Sequence, residues 1–209
     1  MKIQLDNAGK KYYREWIFRK LDFVFEEGSR TVILGPNGSG KSTLLQTLSG
    51  LVTLNEGSAV YSLHGNNIQE NDVFKEVSLS APYMELIDDF TFEELVDFHF
   101  RFKRLMPGIS KSDVIEISGL SSRSKNLYKF YSSGMKQRVK LCLSVLSDTS
   151  LLLLDEPCSN LDSTAMKWYG DLIARFAMNK TIVVASNNQK EEFDFCDSNI
   201  LIDDFKRKR

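Results

Sequence analysis

The sequence predicts an α/β fold: a mostly parallel sheet, a β part at the N-terminus and an α-helical lobe inserted in the core. Three observations carry that prediction. Four short, near-continuous apolar runs have the pattern of strands covered on both faces. Stretches of helical spacing lie between them in alternating order. From about 84 to 147 the chain reads as helices alone, which leaves 1–83 and 148–209 for the α/β core.

Taken in order, the first buried strand is Thr31 to Leu34 (TVIL), and Lys41 to Leu51 follows with helical spacing. The lobe opens at Thr91-Phe92-Glu93-Glu94, a capping box in which Thr91 accepts from a first-turn N–H and Glu94 reaches back. Leu95, Phe98, Phe102 and Leu105 then recur on one face until Pro107-Gly108 ends the helix. A second short helix fits Ser110 to Ile117, and a third starts near Ser133-Gly134. Leu151 to Leu154 (LLLL), Thr181 to Ala185 (TIVVA) and Asn199 to Ile202 (NILI) complete the strands, with a helix over Ser163 to Met178 between the first two.

Composition narrows the classes. A chain of 209 residues, 42% hydrophobic and 26% charged, can bury one substantial core and is neither fibrous nor disordered. With 27 basic and 28 acidic side chains, no global positive field draws it to nucleic acid. No run of about twenty apolar residues is present, and the longest uncharged stretches, such as Ser42 to Asn55, are diluted by polar residues. The opening MKIQLDNAGKKYY lacks the apolar core of a secretory signal, so a cytoplasmic chain is expected. Cys142, Cys158 and Cys196 show no C-x-x-C spacing and read as buried thiols, while His64 and His99 read as surface or packing residues. Lys206 to Arg209 reads as a solvated basic tail.

The strongest chemical signal is Gly35-Pro36-Asn37-Gly38-Ser39-Gly40-Lys41-Ser42-Thr43, which satisfies GxxxxGK[ST] between a strand and a helix. Its glycines let backbone N–H groups turn inward around phosphate oxygens, and the helix N-terminus adds positive potential. Lys41 neutralises the outer phosphates, and the Ser42 hydroxyl can ligate Mg2+. Downstream, the LLLL run ends in Asp155-Glu156. Neighbouring strand residues point to opposite faces, so Asp155 can hold the metal while Glu156 deprotonates the attacking water. A third segment, Tyr131-Ser132-Ser133-Gly134-Met135-Lys136-Gln137-Arg138, would by itself read as a serine-capped helix start.

Together the three segments resemble the ATP-binding cassette (ABC) transporter family, whose signature LSGGQ-x-QR is matched at Ser132, Gly134, Gln137 and Arg138. Ser159-Asn160-Leu161-Asp162 matches the family's D-loop, and Tyr12, about 23 residues before the phosphate loop, stands where its adenine-stacking aromatic lies, with Tyr13 and Trp16 as competitors. The resemblance implies a P-loop NTPase (RecA-like) core, one ATPase domain over 1–209, and ATP and Mg2+ as cofactors. It further implies a homodimer or heterodimer of ATPase subunits. Each ATP is then held between one chain's phosphate loop and the other chain's Ser132, Gly134 and Asp162. Separate transmembrane permease subunits are expected as partners, with the chain peripheral on the inner face of the cell membrane.

Two positions depart from the family pattern. Aligned on Thr91, the Q-loop glutamine falls at Pro82, and the switch histidine is Asn187. Asn187 is therefore expected to position the γ-phosphate region by hydrogen bonding without titrating. The SSGMKQR form and the short stretch after the last strand resemble export-type ATPases. A soluble ATP-dependent switch without a permease, and an ATP-binding module with little hydrolysis, are the competing readings.

Overall fold

A computed structural model describes residues 1–206; Arg207, Lys208 and Arg209 of the basic tail lie outside the described residues. The chain begins with strands β1 (Lys2–Tyr12) and β2 (Glu15–Phe25), joined by a tight turn in which Tyr13 takes a left-handed φ of 54°. β3 (Arg30–Leu34) leads through the phosphate loop into α1 (Lys41–Leu48), and β4 (Glu56–Leu63), β5 (Asn66–Ile68) and β6 (Val77–Ser80) follow. The helical segment then runs α2 (Phe92–Phe102), α3 (Lys111–Ser118) and α4 (Ser133–Val145). β7 (Leu151–Asp155), α5 (Ser163–Phe176), β8 (Thr181–Ser186) and β9 (Ser198–Leu201) complete the core.

Two sheets result. The N-terminal one is antiparallel in the order β2-β1-β4-β5, and the central one is parallel in the order β6-β7-β8-β3-β9. The central strands read as unbroken apolar runs because both faces are covered. Val32, Leu152, Leu154, Ile182 and Val184 pack with α4 and α5 on one face, and Ile33, Leu151, Leu153, Val183 and Ala185 pack with α1 and the N-terminal sheet on the other. This is the mixed α/β architecture expected from the sequence.

The capping box at α2 is present as expected: the Glu94 N–H donates to Thr91 Oγ1 at 3.2 Å, and the Thr91 N–H donates to Glu94 Oε2 at 2.7 Å. Three expectations shift. The helix expected to run through Leu105 to Pro107-Gly108 ends at Phe102, where Lys103 is extended. The helix expected over Lys41 to Leu51 ends at Leu48, where Ser49 caps it and Gly50 turns left-handed. The apolar face of α2 is also only partly inward: Leu95 is 2% exposed, whereas Phe98 is 41% and Phe102 74% exposed. Cys142 and Cys158 are buried as expected, and Cys196 is half-buried. Within the described residues no helix is long and apolar enough to cross a membrane.

Candidate nucleotide-binding and catalytic site

Parallel strands bring the expected residues together at one edge. β7, β8 and β3 are neighbours in that order, so Asp155-Glu156, Asn187 and the phosphate loop all emerge from the carboxyl ends of adjacent strands, where open α/β sheets bind ligands. Gly40 makes the loop possible: its φ is 106°, and a Cβ there would lie 2.3 Å from Ile17 Cγ2. Lys41 is 4% exposed, and its Nζ donates to the carbonyls of Gly35 at 2.8 Å and Pro36 at 3.2 Å. The same Nζ stands 4.0 Å from Glu156 Oε1, so the phosphate loop and the strand-end carboxylates share one space.

The two carboxylates are not divided as alternation along a strand would divide them. β7 ends at Asp155, and Glu156 leaves it at a left-handed φ of 44°, its N–H donating to the Ala185 carbonyl at 2.9 Å. Asp155 is 2% exposed; burial pushes its carboxyl up, the Ser42 hydroxyl and Lys41 work against that rise, and Glu156 adds to it. Ser42 and Asp155 therefore adjoin, as a pair of oxygen donors suited to a hard cation that takes its remaining ligands from phosphate and water. Among the described residues the buried Ser39 hydroxyl has no hydrogen-bond partner, and such a donor fits a phosphate oxygen. On these observations the residues present fit ATP with Mg2+: Gly35, Pro36, Asn37, Gly38, Ser39, Gly40, Lys41, Ser42 and Thr43 around the phosphates, and Ser42 with Asp155 for the metal.

Beside the loop, Tyr12, Tyr13 and Trp16 line an open cleft of about 620 Å³ together with Gly38 and Ser39. The Trp16 ring already carries two cations, Lys11 Nζ at 5.2 Å and the Arg19 guanidinium at 4.5 Å from its centroid. Tyr12, exposed with Lys10 Nζ at 5.1 Å from its ring centroid, and the fully exposed Tyr13 present freer rings.

The signature residues stand apart from this cleft. Ser132 caps α4, its Oγ accepting from the Met135 N–H at 3.3 Å, and Gly134 packs so closely on Asn160 that a Cβ would lie 2.8 Å from that carbonyl. Among the described residues no hydrogen bond joins Ser132 or Gly134 to the phosphate loop. Asp162 caps α5 through the Ala165 N–H at 2.8 Å. Asn187 is exposed just past β8, and Pro82 is exposed just past β6.

Two side chains that sequence reasoning passed over approach the site. Tyr83, next to Pro82, has its hydroxyl pushed up by burial and the nearby Asp155, against a hydrogen bond from Gln46. Glu192 is 2% exposed, and its Oε1 accepts from the Cys158 N–H at 3.2 Å. In the sequence each reads as an ordinary surface residue; Tyr83 is 46% exposed and is marked by its nearness to Asp155, whereas Glu192 is marked by its burial. The histidines lie elsewhere. His64 is exposed beside Glu27 at 2.8 Å, and His99, 2.9 Å from Ser147 Oγ, is pushed down to about 4 by burial and Lys103.

Comparison with known proteins agrees with this geometry. The sequence model described as ABC transporter matches residues 18–159. An uncharacterised ABC transporter ATP-binding protein of Bacillus subtilis, YdbJ, is 32% identical over 96% of this chain and 66% of its own length. The linearmycin resistance ATP-binding protein LnrL of the same organism is 26% identical over 96% of this chain and, again, 66% of its own length, so the chain spans just under two thirds of both relatives. A dimeric, post-hydrolysis ATP-binding cassette solved with ADP and phosphate superposes with a TM-score of 0.82, at 21% identity over 99% of this chain and 97% of that one, which speaks for the fold. With more than half of its length matched by the family model, the chain belongs to the ABC transporter family, as an ATP-binding and ATP-hydrolysing module.

Proposed function

We propose that this chain forms a single ATPase domain over 1–209, with 84–147 as its helical lobe. In this reading it pairs with a second ATPase subunit and drives separate transmembrane chains at the inner face of a cell membrane. The observation that carries it is the convergence of Lys41, Ser42, Asp155 and Glu156 at the carboxyl ends of β3 and β7, with Lys41 Nζ 4.0 Å from Glu156. Lys41 and the α1 N-terminus hold the phosphates of ATP. Ser42 and Asp155 hold Mg2+, which when bound supplies positive charge to the β- and γ-phosphates. Glu156 takes a proton from the water that attacks the γ-phosphate, and Asn187 orients that region by hydrogen bonding.

The signature residues support the pairing. Among the described residues Ser132 and Gly134 make no hydrogen bond to the chain's own phosphate loop, which supports a role for the start of α4 toward the nucleotide of a second subunit. An apolar groove lined by Ile87, Phe98 and Phe102 supports docking of a permease segment against α2. The name of LnrL, a resistance protein, favours export. Lys41→Ala tests the core of this reading. The folded variant is expected to lose ATP affinity in calorimetric titration and to release no phosphate, and wild-type affinity would refute the assignment of the loop.

The competing reading, an ATP-binding module with little hydrolysis, draws on the exposure of Pro82 and Asn187 where the family carries glutamine and histidine. Wild-type chain that binds ATP but releases no phosphate with its membrane partner present would favour it.

A further inference from the structure

The peptide group that directly follows Glu156-Pro157 is gripped at both ends. Its oxygen, the Pro157 carbonyl, accepts from Gln137 Nε2 at 2.9 Å, and its hydrogen, the Cys158 N–H, is donated to Glu192 Oε1 at 3.2 Å. Both side chains are buried, Gln137 at 3% and Glu192 at 2% exposure, so water does not compete for either bond. Glu192 is itself anchored, because its main-chain carbonyl accepts from the wholly buried Tyr169 hydroxyl at 2.9 Å. Its other carboxyl oxygen is also buried. Glu156 stands one residue before the gripped peptide at φ 44°, a conformation that an L residue with a long side chain keeps only where its surroundings impose it.

We propose that Glu192 is a positioning residue for ATP hydrolysis: sharing the Pro157–Cys158 peptide with Gln137, it holds Glu156 in the left-handed turn that aims its carboxylate at the phosphate loop. This rests on the ATPase reading above. Glu192 touches no nucleotide and acts only through the backbone. Gln137 lies one turn into α4, the helix that opens with the signature segment, so the clamp also ties the geometry of Glu156 to that helix.

Charge agrees with the role. Burial pushes the Glu192 carboxyl up to about 7; the Ser186 hydroxyl and the Cys158 N–H oppose the rise, while Glu156 and Asp155 add to it. The groups facing it from α5 and the segment after β7, Tyr169 and Cys158, are themselves held neutral by burial. The clamp needs only an oxygen acceptor, which the neutral acid supplies.

Glu192→Gln keeps the acceptor without a charge, and Glu192→Ala removes it. We expect Glu192→Ala to lower kcat roughly tenfold with KM for ATP and titrated ATP affinity within about twofold of wild type, and Glu192→Gln to stay within about twofold of wild type in all three. The double variant Gln137→Ala/Glu192→Ala should be little slower than the slower single one, because both bonds hold one peptide. Amide exchange at Cys158 and Ser159, read without turnover, should accelerate in Glu192→Ala and not in Glu192→Gln. Unchanged kcat in Glu192→Ala, a Glu192→Gln as slow as Glu192→Ala, or unchanged exchange would overturn the proposal. A wild type that fails to hydrolyse ATP overturns the ATPase reading instead, and the exchange arm still decides whether the clamp exists.

Discussion

At Asn187 the proposed role is to orient the γ-phosphate region through a hydrogen bond. An amide can donate and accept but does not exchange a proton near neutral pH. Asn187→Ala is expected to slow steady-state phosphate release by about one to two orders of magnitude, the equivalent of a lost hydrogen bond to a charged group at about 1.5–3 kcal/mol. Asn187→His should keep or raise the rate, and an alanine variant at wild-type speed would make Asn187 a bystander. Glu192 makes a second prediction, through stability. Its carboxyl titrates near 7 when folded and near 4.5 when unfolded. Between those values the unfolded chain binds fewer protons, so stability falls as pH rises through this window and the penalty is complete above about 7. Glu192→Gln removes it, and its melting temperature should exceed wild type by a few degrees at pH 8 and by none at pH 4. An equal difference at both values would place the ionisation elsewhere. The two residues were not equally legible. Asn187 stands out in the sequence because its place beside a buried strand is a motif position, whereas Glu192 sits in the run Lys190-Glu191-Glu192, where the bulk of the charge faces water and one-dimensional pattern carries no sign of its burial.

Elements were legible where one local interaction dominates. The buried strands were readable because two covered faces leave no polar positions, and the start of α2 because its cap is reciprocal and local. Thr91→Ala should cost about 1 kcal/mol in denaturant unfolding, the usual worth of an N-cap, while ATP affinity stays at the wild-type value, since α2 lies in the lobe and not in the phosphate loop. A variant that unfolds normally but loses ATP affinity would contradict that separation. The exposure of Phe98 and Phe102 was not readable, because helical spacing marks an apolar stripe without saying what covers it. Nor was the turn at Glu156: alternation along β7 stops at Asp155, and the left-handed step depends on Ala185, Gln137 and Glu192, which are distant in sequence.

For the whole molecule the sheet order does the decisive work. Placing β8 between β7 and β3 sets Asp155-Glu156 and the phosphate loop on either side of Asn187, and one chain thereby brings together the groups proposed to bind ATP and activate water. The motifs that build this half of the site were plain in the sequence, since each sits at the end of its own strand. The other half was legible only as a resemblance, because among the described residues no hydrogen bond joins Ser132 or Gly134 to the phosphate loop. The central claim is that a second subunit completes the site and that Glu156 performs the chemistry that ends the pairing. Glu156→Gln keeps the shape of the side chain and cannot take the proton from water. Size-exclusion chromatography with light scattering, run on this variant with ATP and Mg2+ and again with ADP, tests the claim most directly. The account predicts a dimer with ATP, a monomer with ADP and stalled phosphate release; a variant that stays monomeric with ATP while releasing phosphate at the wild-type rate would contradict it.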